Sequence, residues 1–107
     1  MQIKNGNIRI RRGEEFALQF RVKENGEPYK MKMGDRIQLT VKKLMLDSEK
    51  AVITRTAVGS DVIRVKGSDT EDLMYGKYRY MVQLIKSDGS RHTLVDVHNF
   101  DIYGGGA

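Results

Sequence analysis

Hydrophobic and polar residues alternate with a period of two along most of this 107-residue chain, and the run around which the rest is organised is Gly76–Ile85. One face of that run carries Tyr78, Tyr80, Val82 and Leu84, the other Arg79, Met81, Gln83 and Ile85. This is the spacing of a strand buried on one side and partly covered on the other. Asp88-Gly89 then signals a tight reversal, because glycine takes positive φ without steric penalty. Arg91 to Tyr103 is therefore expected to return antiparallel to it.

Shorter strands are predicted upstream. Residues 8–11 alternate after a start rich in Gly and Asn and read as the first strand. Residues 16–22 place Phe16, Leu18, Phe20 and Val22 on one face. Asn25-Gly26 ends that run in a turn, and Pro28 keeps the next segment out of a central ladder position. Residues 29–33 read equally as a short edge strand or an ordered loop. Residues 37–42 put Ile37, Leu39 and Val41 inward, and residues 51–56 and 62–65 read as a meander. Residues 67–75 alone have helical character, with Ser68 or Asp69 as cap and Gly76 as stop. The whole predicts an all-β protein: an immunoglobulin-like antiparallel β-sandwich of about seven strands with one short helical turn. One domain is expected over residues 1–103, followed by a flexible glycine-rich tail, residues 104–107.

Tyr78 carries the most specific local pattern. In immunoglobulin-like sandwiches a tyrosine near the start of the penultimate strand bonds back across the preceding corner. Tyr78 follows a short turn, begins a long strand and points inward, so its expected role is a structural corner. Tyr80 stands where antibody domains hold a cysteine, and the chain has neither cysteine nor tryptophan. Both antibody hallmarks are thus missing.

Composition narrows the chemistry. Hydrophobic residues make up 39% and charged residues 31%, a folded rather than disordered balance. Without cysteine there is no disulfide, thiol nucleophile or thiolate metal site. No apolar run reaches the ~20 residues that span a bilayer, so no membrane association is expected. His92 and His98 would fall ~20 Å apart on a regular strand, too far for one metal ion. No serine-nucleophile motif, phosphate-cradling glycine loop or EF-hand spacing occurs. No catalytic residue, metal site or cofactor is expected, and the chain is read as a non-enzyme.

The net charge of +5 is uneven: residues 1–46 hold eleven Lys/Arg against five acids, the remainder eight against nine. Such asymmetry marks either solvated strand faces or a surface for nucleic acid or an acidic protein. Nucleic acid is the alternative reading, as a small basic β-barrel. Single-strand binders also need exposed aromatic platforms. Of the eight aromatics, only Tyr29, Tyr75, Phe100 and Tyr103 fall outside the predicted core, with no basic-aromatic alternation.

Several pieces recur in a familiar order: Arg12-Gly13-Glu14 with Phe16, Asn25-Gly26-Glu27-Pro28-Tyr29, the run from Ile37 to Lys43, Asp69-Thr70, Leu73 with Gly76, Tyr78, Tyr80 and Val82-Gln83-Leu84, then Ser87-Asp88-Gly89. Together they resemble small immunoglobulin-like domains of bacteriophages and prophages, among them the N-terminal domain of phage baseplate upper proteins. The resemblance spans about residues 8–103. It implies a virion structural or adaptor role in tail, baseplate or fibre, through protein-protein contacts with other phage structural proteins. It implies synthesis in the host cytoplasm and residence in the virion, and leaves homo-oligomerisation open. The expected interaction edges are residues 8–11 and 29–33, with Arg9, Arg11, Arg12, Met31 and Met33 as contact residues.

Overall fold

Two Asn-Gly dipeptides make the tightest hairpins of the chain, because a loop whose twist matches its strands needs positive φ at both positions. Asn5 and Gly6 sit at φ 52° and 82°, and Asn25 and Gly26 at 54° and 78°. The first pair joins β1 (Gln2–Lys4) to β2 (Asn7–Arg11). After β3 (Phe16–Gln19), the second joins β4 (Lys23–Glu24) to β5 (Glu27–Pro28). This computed structural model describes residues 1–104, so the last three residues of the expected tail lie outside the described residues.

The remaining strands are β6 (Arg36–Lys42), β7 (Ile53–Val58), β8 (Val62–Val65), β9 (Gly76–Ile85) and β10 (Arg91–Tyr103). Six strands form one sheet in the order β1-β2-β10-β9-β6-β7. β3 and β8 form a second layer, and the β4/β5 hairpin stands apart as its own ladder. Seven strands have four residues or more, the number expected; the two- and three-residue strands come in addition. The helical segment shrinks to one 3-10 turn, Gly67–Asp69. No helix among the described residues is long and apolar enough to cross a membrane.

Three expectations are corrected. β2 and β10 pair in parallel, with Ile8 beside Phe100 and Ile10 beside Ile102, so the sandwich is not wholly antiparallel. The N-terminal residues are a strand, because the reversal at Asn5-Gly6 folds β1 back on β2. β7 and β8 are not a meander: β7 pairs with β6, whereas β8 crosses to the other layer and pairs with β3. The connection enforces the crossing, since the Asp61 carbonyl accepts the Phe20 amide at 2.9 Å and Ser60 Oγ accepts the Val62 amide at 3.2 Å.

The core lies between the layers. Ile8, Ile10, Ile37, Leu39, Val41, Tyr78, Tyr80, Val82, Leu84, Phe100 and Ile102 line the inner face of the large sheet, all buried. Ile63, Val65 and Val22 close over them, with Phe16, Leu18 and Phe20 half-buried at the margin. Phe100 is fully enclosed, its ring 6.3 Å from Phe16 and edge-on to Tyr80 at 6.0 Å. The Tyr78 hydroxyl donates to the Met74 carbonyl at 2.9 Å, the expected corner bond. The Tyr80 hydroxyl donates to the Gly6 carbonyl, which fastens the β1/β2 hairpin to the core.

Candidate binding surfaces

The residues expected to form an interaction edge are dispersed. β2 is flanked by β1 over Asn7–Arg9 on one side and by β10 over Ile8–Arg11 on the other, so it is an interior strand and only Ile10 and Arg11 lack a second strand partner. Residues 29–33 form no strand either. Tyr29 and Asp35 close that stretch into a loop: the Asp35 carboxylate accepts the Tyr29 hydroxyl at 2.6 Å, the Lys32 amide at 2.9 Å and the Ser87 amide at 3.1 Å. The bond between them holds the Asp35 carboxyl below its ordinary range and pushes the Tyr29 phenol up to about 12. Met31 packs half-buried against the core, while Met33 is 96% exposed on the loop. Arg9, Arg11 and Arg12 are exposed, and each lies over an aromatic ring. Arg9 and Arg11 sit 4.4 and 5.8 Å from the Tyr103 centroid, and Arg12 4.2 Å from that of Tyr75. Basic-aromatic pairing, absent from the linear order, is thus produced by folding. Phe100, counted with the exposed aromatics, belongs to the core because its register partners Ile8 and Tyr78 both face inward.

The free edges lie elsewhere. β7 pairs with β6 through six consecutive positions and has no strand on its other side. Its Ile-Thr-Arg-Thr-Ala-Val sequence contains no proline, lysine or bulge, and the one charge on it, the inward-pointing Arg55, is neutralised by Asp69. Thr54, Thr56 and Val58 are exposed on one side of the strand. On the other, a groove of about 550 Å³ separates β7 from the equally unpaired outer edge of β8. Arg55, Ala57, Val62, Arg64 and Lys66 line it. Arg55 is bound by Asp69, whose charge is opposed by burial but favoured more strongly by the guanidinium and the Lys66 amide, so its carboxyl stays below the ordinary range. Arg64 and Lys66 have no carboxylate within ion-pair distance among the described residues.

A second surface is the outer face of the large sheet. The alternation that turns β9 inward at Tyr78 and Tyr80 turns Lys77 and Arg79 outward. The ladders extend that face to Arg9 and Arg11 on β2, to Arg36 and Lys42 on β6, and to Arg91 on β10. Lys42 lies directly opposite Arg79, its ammonium turned to the Leu46 carbonyl at 3.0 Å. Arg91 donates to Gln83 at 3.1 Å. The only carboxylate in these rows is Asp101, between Arg9 and Lys77 in register, and its buried Oδ1 has no hydrogen-bond partner among the described residues. None of the three ion pairs among the described residues lies on this face. Attention to the basic N-terminal half misses Lys77, Arg79 and Arg91. The signal that finds them is strand phase, which puts every second residue of β9 outward regardless of local net charge.

The histidines are held locally and apart. His98 Nδ1 is 2.7 Å from the Asp96 carbonyl and its ring lies beside Tyr80, whereas His92 meets Ser90 Oγ at 3.3 Å. The chain matches no protein-family model, and no curated protein matches it.

Proposed function

We propose that this chain is a non-enzymatic structural module of a phage or prophage virion, joining tail, baseplate or fibre proteins through strand addition at β7. The observation that carries the reading is the regular, unpaired edge of β7 beside a groove, free of proline and bulge and with its one charge held by Asp69. Main-chain pairing supplies affinity in strand addition, and the side-chain rows flanking the edge supply selection. Here Arg64 and Lys66 favour a partner strand with acidic residues on its groove side. Strand order supports an immunoglobulin-like topology: β6, β9 and β10 are neighbours in one sheet, β3 and β8 face them, and Tyr78 occupies the corner before the penultimate strand. The motif order from Arg12 to Gly89 supports placement in a virion.

The test is a particle preparation after prophage induction. The wild-type chain is expected among the particle proteins, and Thr54→Glu/Thr56→Glu is expected to fold normally but to be depleted from them. A wild-type chain missing from purified particles would overturn the virion reading. Normal incorporation of the double variant would exclude the β7 edge.

A further inference from the structure

We propose that the outer face of the large sheet is a sequence-independent docking surface for duplex nucleic acid, held through its phosphate backbone. This goes beyond strand addition at β7 and rests on separate residues. Lys77 and Arg79 lie on the central strand β9, with Arg9 and Arg11 two strands away on β2. These bases have no ion-pair partner among the described residues. Like charges placed directly opposite on neighbouring strands destabilise a sheet, yet Lys42 opposes Arg79. That arrangement makes sense where an external polyanion supplies the missing counter-charge.

The composition of the face decides between an acidic protein and nucleic acid. The centre of a protein-protein interface is depleted of charge and filled by apolar anchors. Here the bases Lys77 and Arg79 cluster at one end of β9 with Arg9, Arg11 and Lys42 on the neighbouring strands, and the middle of the face holds Gln38, Thr40 and Gln83, with Met81 the one apolar side chain among them. Nucleic-acid interfaces are more polar and more positive. Tyr103 does not serve as a stacking platform, since Arg9 and Arg11 lie over its ring. Its effect is to steady two planar guanidinium groups, whose donor forks match phosphate. Phosphate contacts position a protein without reading bases, so recognition should be independent of sequence.

Fluorescence anisotropy with a labelled 20-base-pair duplex tests this with the full chain. Binding is expected at low salt, with log K falling linearly against log salt. Arg9→Gln, Lys77→Gln and Arg79→Gln should each weaken binding to unrelated duplexes equally and reduce the salt slope by about one. Arg64→Gln/Lys66→Gln, off this face, should bind as the wild type, and Asp101→Asn should bind more tightly. Circular dichroism on each variant separates lost binding from lost folding. No binding of the folded wild type at low salt would overturn the proposal, as would an unchanged slope in the face variants. Polyglutamate that displaces the duplex as effectively as unlabelled duplex would overturn it in favour of an acidic protein partner.

Discussion

The two faces of the large sheet are built from the same strands and meet opposite fates. On the inner face β9 buries Tyr78, Tyr80, Val82 and Leu84, and each is joined in register to another buried residue. On the outer face, one residue away along the chain, Lys77 and Arg79 are exposed and unneutralised. The inner face holds the fold together by area removed from water, at ~25 cal/mol per Å². Charges a pleat away contribute little to stability, because exposed charge is well solvated. The outer face is therefore free to be selected for something other than folding. β7 shows what happens when the two mix: Arg55 occupies an inner-face position between Ile53 and Ala57, and Asp69 neutralises it from the turn opposite.

That contrast can be broken in graded steps. Phe100→Ala removes the most enclosed ring of the inner face and should cost about 3–5 kcal/mol in denaturant unfolding. Asp69→Asn leaves Arg55 without its counter-charge and should cost about 1–2 kcal/mol, the partial exposure of the pair being allowed for. The same carboxylate gives a pH signature. Its folded pKa lies below the unfolded value of ~3.9, so its contribution is complete above that pH and is lost as pH falls through the folded value. The wild-type melting temperature should drop below about pH 4, as Asp35 contributes with the same sign, and Asp69→Asn should show a shallower drop. Tyr78→Phe deletes only the hydroxyl bond to Met74 and should cost about 1 kcal/mol. Arg79→Gln, exposed and flanked in register by Asn99 and Lys42, should change stability by no more than about 0.5 kcal/mol. A large loss there would show that the outer face is a folding element after all.

Much of this was legible in the chain. Period-two alternation located β2, β3, β6, β8 and β9 and named the inward residues of β3, β6 and β9, the Asp88-Gly89 reversal placed β10, and the position of Tyr78 anticipated its bond across the corner. β1 was missed although Asn5-Gly6 carries the same hairpin signal as Asn25-Gly26, because only three residues precede that dipeptide within the strand. The edges were misplaced for a different reason. Whether a strand is flanked depends on which other strands reach it, and β2 acquires β10 as a parallel neighbour from the far end of the chain.

Local alternation and turn chemistry determined which residues face inward, because a strand allows only two sides and water sorts them. Tertiary structure decided which strands are neighbours, which edge stays open, and that Arg9, Arg11, Lys77 and Arg79 share one surface. Those outcomes depend on pairings between segments up to some ninety residues apart, as between Asn7 and Asn99, and such pairings leave no mark on the period of either segment alone.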